Sequence, residues 1–315
     1  GPGTCMRVFL SSHGISMAAA ADAAPPQASA GRRIGPTALA VVGVTPFFLF
    51  ALLFLILPTM FLIVGAFQDP QGNWTLQNIL NLFQPTIMSA YWISIQVSAA
   101  SAILGGLVGF FLAYAAAAGG LPSWIRPTLM TFSGVASNFA GIPLAFAFLA
   151  TLGRMGLVTV FLNEAFGINI YRSGFNLLSF WGLTLTYLYF QIPLMVLILT
   201  PAIDGLKREW REAAEILGGN SYHYWRYIGL PVLWPSILGT TLLLFANAFG
   251  AVATAYALTG SSLNIVTILL YAQVRGDVLH DPNLGYALAV GMILITGVSN
   301  GTYIWLRSRS DRWMR

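Results

Sequence analysis

Residues Glu212–Pro231 read EAAEILGGNSYHYWRYIGLP, a polar island between long apolar segments. Just upstream and into it, Leu206, Trp210, Ala213, Ala214 and Leu217 recur at helical spacing as one apolar stripe. Lys207, Arg208, Glu209, Arg211, Glu212 and Glu215 fill the opposite face. The pattern predicts an amphipathic helix. Arg208 and Glu212, like Arg211 and Glu215, are opposite charges four residues apart, each pair worth about 0.2–0.5 kcal/mol on an exposed helix. Gly218 and Gly219 tolerate left-handed backbone and so end the helix, after which Asn220 or Ser221 can cap a second one. Both flanks are apolar runs of membrane length. The helix–break–helix unit is therefore expected at one membrane surface, facing water or another protein.

Composition sets the surroundings of this unit. Of 315 residues, 57% are hydrophobic and 8% charged, against roughly 25% charged in an ordinary soluble domain. With a mean hydropathy of +0.74 and several uncharged runs longer than about 18 residues, the chain reads as an all-α integral membrane protein. The strand-length alternation of a β-barrel is absent. A net charge of +5 does not point to nucleic acid, because the basic residues lie at helix ends and not in one patch. A lone Cys5 excludes an intrachain disulfide framework. His13, His223 and His280 are too scattered to suggest a metal site.

Six spans follow in order. Residues 1–36, rich in Ala, Ser, Gly and Pro, read as a disordered tail, with Met6 and Met17 as candidate starts. A charge-free run from Arg33 to Asp69 holds the first span. The second covers Ser89–Ala118, where Gly105, Gly106 and Gly109 either form a small face for close helix approach or reflect only the frequency of glycine in membrane helices. The third is expected at Thr128–Leu152 and the fourth at Leu177–Ile203. Between Arg226 and Arg275 lie 48 uncharged residues, more than one helix needs, so the fifth span, placed at Leu233–Leu258, shares them with a short helix and a reentrant or loop section. The sixth covers Leu284–Leu306, and residues 308–315 form a tail. The segment 153–176 reads as an external loop with room for a short interfacial helix. Residues 261–283 form another external stretch. With both ends cytoplasmic, twelve of the fifteen Lys and Arg fall inside, leaving only Arg154, Arg172 and Arg275 outside. The polar island then faces the cytoplasm.

Seven residues of the island carry a resemblance. Glu212, Ala213, Ala214, Gly218, Ile228, Leu230 and Pro231 stand at the spacing of the EAA loop of permease subunits of bacterial ATP-binding-cassette (ABC) importers: Glu-Ala-Ala, three residues, Gly, nine residues, Ile, one residue, Leu-Pro. Over about Ala90–Leu306 the chain resembles a type I (MetI-like) importer permease. Phe245–Gly260 (FANAFGAVATAYALTG) and Gly276–Met292 (GDVLHDPNLGYALAVGM) are similar to the spermidine and putrescine branch, whose relatives include phosphonate, thiamine, iron and opine permeases. The resemblance implies a transport subunit that is not itself an enzyme, in the bacterial inner membrane. It also implies a second permease, most simply in a heterodimer, two ATPase subunits that bind ATP and Mg, and an external solute-binding protein. The seven matching residues would couple to the ATPase. The chain itself has no GxxxxGK[ST] pattern, so the nucleotide belongs to the partner.

Polar residues inside spans are costly and often functional. Asn138, Gln191 and Asn247, with the hydroxyls and rings of Tyr187 and Tyr189, are candidates either for the translocation path or for hydrogen bonds between helices. Asp277 and Asp281 are either contacts to the binding protein or solvated loop charges. An ion-coupled carrier would show intramembrane carboxylates or an internal repeat, and a membrane enzyme a cluster of His, Asp, Glu or Cys within the spans. Neither pattern is present in the sequence.

Overall fold

The computed structural model describes residues 36–117, 122–260, 262–275 and 281–313. Cys5, His13, Asp277 and His280 lie outside them. The chain divides into two compact units, Gly1–Leu55 and Ile56–Arg315. In the first, α1 (Pro36–Ala51) leads into a π-helical turn over Leu52–Ile56, and Phe50 stacks on Phe54 with ring centroids 5.0 Å apart.

The second unit begins with α2 (Leu57–Ala66) and the short α3 (Gln77–Asn81). Between them the Asp69 carboxylate accepts the N–H groups of Gln71 and Asn73 at 2.9 and 2.8 Å, and these bonds hold its pKa below the usual value. The long α4 (Pro85–Ala117) follows, then α5 (Ile125–Asn138), α6 (Ile142–Leu152), α7 (Leu157–Phe166) and α8 (Phe180–Asp204). The island forms α9 (Arg208–Ile216) and α10 (Ser221–Tyr224). Through a π turn at Trp225–Gly229, α10 runs on into α11 (Leu230–Phe249). The remaining helices are α12 (Val252–Thr259), α13 (Val266–Arg275) and α14 (Pro282–Trp313). No strand occurs among the described residues.

Six helical stretches are long and apolar enough to cross a membrane: Gly43–Ala66, Pro85–Ala117, Ile142–Phe166, Phe180–Asp204, Ser221–Phe249 and Pro282–Ser308. The all-α, six-span class is thus as expected, but two expected spans are corrected. Thr128–Leu152 is not one helix: α5 ends at Asn138, and Gly141, at φ +76°, starts α6 with Pro143 in its first turn. Leu233–Leu258 is likewise cut, because α11 stops at Phe249 and α12 begins after Gly250 and Ala251. The segment 153–176, expected as an external loop, is corrected in its first half, because α7 lies within the third membrane-length stretch, Ile142–Phe166; the segment 261–283 contains α13.

Packing centres on α4 and α8. A methyl group on Gly105 would fall 2.8 Å from the Gln191 Cβ, and one on Gly109 would fall 2.6 Å from the Met195 Cβ. The glycines therefore let the two backbones approach closely, as a small-residue face does. Around this pair, Leu144, Ala145, Leu183, Phe190, Ala255 and Leu258 form one buried cluster. Met195, Leu199, Leu233 and Leu244 form a second, and Ile87, Tyr91, Phe249, Val266 and Leu288 a third. Hydrogen bonds from hydroxyls to backbone join the helices: Tyr91 to the Leu288 carbonyl at 2.7 Å, and Ser299 to the Leu242 carbonyl at 2.9 Å. Ser94 Oγ accepts the N–H of Val266 at 2.9 Å, which caps α13 from α4.

Candidate functional site

The loop after α8 is built as its sequence suggests. The α9 helix is exposed and carries both expected ion pairs, Arg208–Glu212 at 3.0 Å and Arg211–Glu215 at 3.2 Å. It ends on Gly218, whose φ of +79° is reached without strain only by glycine. The N–H groups of Gly218 and Gly219 return to the carbonyls of Glu215 and Ala214 at 3.0 and 2.8 Å, satisfying the last turn. Asn220 then caps α10 through its Oδ1, which accepts the N–H of His223 at 3.0 Å. Helix, break and helix are all present.

The surface of this unit is unusually apolar for the end of a bundle. Ile216 is 85% exposed and Leu217 87%, with Tyr222 and Tyr227 close behind. Trp210, Ala213, Ile228 and Val232 line an apolar hollow of about 290 Å³, and a second hollow of about 620 Å³ is lined by Ala117, Arg208, Arg211, Glu212 and Glu215. Of the seven motif residues, Glu212 and Ala213 sit on α9 and Gly218 makes the break. Ala214 and Ile228 are half-buried, and Leu230 and Pro231 open α11. Trp225 ties the unit to the bundle. Its ring packs edge-on against Tyr114 of α4 at 4.9 Å, and the chain passes close over it at Gly229. At the same end, Arg126 in the first turn of α5 forms an ion pair with Asp204, the last residue of α8.

Deeper in the bundle, the breaks after α5 and α11 lie side by side. The Gly141 N–H donates to Thr254 Oγ1 at 2.7 Å, and a Cβ on Gly141 would meet that of Ala253 at 3.7 Å. Tyr187 of α8 donates its hydroxyl to the Ala251 carbonyl at 3.1 Å, which satisfies a group freed by the second break. Irregular backbone within a span is tolerated only where protein buries it or where it lines a water-filled cavity. These bonds supply the first condition, and exposed polar side chains beside the breaks fit the second.

The five residues singled out within the spans separate by burial. Gln191 is fully buried; its Nε2 donates to Ser101 Oγ and to the Leu244 carbonyl, both at 3.2 Å, which joins α8 to α4 and α11. Tyr187 is also buried. Asn138, Tyr189 and Asn247 are exposed on the chain. Tyr189 meets Phe139, just past the end of α5, at 5.9 Å and Phe148 at 6.2 Å, so it lies beside the first break. Asn247 lies one turn before the second. Asp281 accepts the N–H of Leu284 at 3.1 Å and so caps α14. Among the described residues no group of three or more His, Cys, Asp and Glu could hold a metal ion. The aromatic pair Phe139–Tyr189, the Tyr187–Ala251 bond and the Gly141–Thr254 bond were not foreseen. Gly141 two residues before Pro143 was the available signal.

No protein-family model matches the chain. By sequence it is similar to the probable sulfate transport system permease protein of Chlorella vulgaris, 26% identical over 57% of this chain; the match spans 64% of that protein's length. It is likewise similar to the molybdenum transport system permease protein of Mycobacterium tuberculosis, 26% identical over 68% of this chain and 77% of that one. The spermidine/putrescine transport system permease protein of Haemophilus influenzae is 23% identical over 79% of this chain and 87% of that one. By structure the chain is similar to a bacterial ABC transporter involved in the import of the acidic polysaccharide alginate. That match has a TM-score of 0.65 at 17% identity and covers 89% of this chain and 97% of the other. A bacterial alginate ABC transporter in complex with an alginate pentasaccharide-bound periplasmic protein gives the same TM-score at 16% identity. The fold is thus shared with a chain of a bacterial ABC transporter, and the sequence relatives are permease proteins of transport systems for different solutes.

Proposed function

We propose that the chain is a permease subunit of an ATP-driven importer, with α9 and α10 docking on an ATPase subunit at the cytoplasmic face of a bacterial inner membrane. The observation that carries this reading is the EAA spacing realised as a capped helix–break–helix whose apolar side chains face outward. Such a patch at the wet end of a bundle marks a protein contact. The ATPase subunits hold ATP and Mg. A second permease, most simply a different chain, completes the path, and an external binding protein delivers the solute. Closure of the ATPases moves α9, and Trp225 against Tyr114 passes the motion to α4 while Asp204 and Arg126 link the roots of α8 and α5. Alternating access then follows from the shift between two packings.

Asn138, Tyr189 and Asn247 face the path in this reading, with Tyr187 and Gln191 holding its wall. Asp277 and Asp281 meet the binding protein. The solute is small and polar. A polyamine is favoured by the likeness of Phe245–Gly260 to the spermidine and putrescine branch, by the Haemophilus relative, and by the rings of Tyr189, Phe139 and Phe148, which suit a cation. A tetrahedral oxyanion is the second reading, favoured by the sulfate and molybdenum relatives and by the start of two helices, α6 and α12, at the paired breaks.

Glu212→Lys and Gly218→Val are expected to leave the chain in the membrane while transport is uncoupled from ATP hydrolysis or ATPase binding is weakened. Normal uptake with normal ATPase binding in both variants would overturn the coupling role. For the solute, the binding protein that docks on this permease is to be titrated with spermidine, sulfate and molybdate. Binding of spermidine alone supports the first reading, and binding of an oxyanion alone replaces it with the second.

A further inference from the structure

At the end of the bundle that carries α9, three helices enclose a hollow of about 220 Å³ that the coupling loop and the paired breaks do not use. Its walls are Pro201 and Ala202 of α8, Gly239 and Thr240 of α11, and Tyr303 and Arg307 of α14. Tyr303 lies flat against α11 because Gly239 has no side chain: a Cβ there would sit 3.1 Å from the Tyr303 ring. So placed, its hydroxyl accepts a hydrogen bond from Arg307 at 2.9 Å, which holds the guanidinium beside the ring and leaves the phenolic O–H able to donate to a further partner. The ion pairs among the described residues are Arg126–Asp204, Arg208–Glu212 and Arg211–Glu215, none of which uses Arg307. Buried Thr240 adds a hydroxyl to the wall. Arg307 stands where the last apolar span ends, and residues 307–315 carry four arginines against one aspartate.

The geometry points to a site for an anionic phosphate group presented by a membrane phospholipid. A guanidinium and a phenol converge on one hollow at the level where headgroups lie, and apolar Pro201 and Ala202 flank it where an acyl chain begins. Basic hollows between membrane helices of this kind take lipid phosphates, whereas a zwitterionic headgroup offsets the guanidinium with its own ammonium. The site would bind α14 to α8 and α11 through the lipid, near the start of the segment that leads into α9. It stands apart from the importer reading, since it needs only the membrane.

The test is native mass spectrometry of the purified full chain, delipidated and titrated separately with phosphatidylglycerol, phosphatidylcholine and inorganic phosphate. Phosphatidylglycerol is expected to bind in preference to phosphatidylcholine. Arg307→Ala should weaken that binding by about fivefold or more. Tyr303→Phe, which keeps the packing on Gly239, should weaken it to a lesser extent, and Arg307→Lys should retain most of it. Equal binding of the two lipids, unchanged binding in Arg307→Ala, or binding of inorganic phosphate without the lipid would each overturn the proposal.

Discussion

Two threonines, Thr254 and Thr267, show how differently one buried hydroxyl can act. Each is 1–2% exposed. Thr254 Oγ1 accepts the N–H of Gly141, whereas Thr267 Oγ1 has no hydrogen-bond partner among the described residues. Removing the acceptor of a buried N–H costs about 1–3 kcal/mol, and the half-buried Gly141 N–H belongs at the low end of that range, while replacing an unpaired hydroxyl with a methyl group is nearly neutral or stabilising. Thr254→Val is therefore expected to lower unfolding stability in detergent by about 1 kcal/mol, and Thr267→Val to leave it unchanged or raise it. Equal losses in both would show that the hydroxyls are not what matters. The sequence shows none of this asymmetry, since both residues are single threonines in apolar runs. Which of Tyr187, Tyr189, Gln191 and Asn247 is exposed was equally hidden, because α8 and α11 are apolar all round and no polar stripe marks their outer faces.

Among the elements, the close pairing of α4 and α8 gives the firmest expectation. Gly109→Val forces a side chain into the space of Met195, and overpacking of this kind costs about 1–3 kcal/mol. Unfolding midpoints in detergent measure it, with Gly43→Val, where nothing lies within 4 Å, as the control that should not move. The glycine face on α4 could be read from sequence, but whether a helix used it could not. Legibility followed the strength of the local signal. Charge-free runs, the i,i+4 ion pairs, the break at Gly218 and Gly219 and a cap at Asn220 or Ser221, which the structure places on Asn220, all have local causes and were found. The breaks after Asn138 and Phe249 were missed because the apolar run continues through them. The bonds that make them stable come from Thr254 and Tyr187, which are 113 and 64 residues away from Gly141 and Ala251 in the chain.

For the whole molecule, the proposed coupling role needs a contact through which the exposed loop could move the bundle. Trp225 and Tyr114 are the contact most open to measurement. Edge-on aromatic pairs are worth about 0.5–1.5 kcal/mol beyond burial, so a double-mutant cycle with Trp225→Ala and Tyr114→Ala should return a coupling energy of that size. Under the proposed coupling, Trp225→Ala should depress uptake while the ATPase still copurifies. Loss of copurification would assign Trp225 to docking instead of transmission.

The tie between Gly141 and Thr254 also gives the bundle a mechanical grain. Hydrogen bond and packing make α6 and α12 one block, while α5 and α11, on the near side of the two breaks, lead back to Arg126 and to α10. A push arriving along α11 thus reaches a joint before it reaches α12. Two neighbouring joints tied by one bond form a single axle, so in the proposed importer a rotation at the wet end would shift the exposed Asn138 and Asn247 beside them without unfolding a turn of helix.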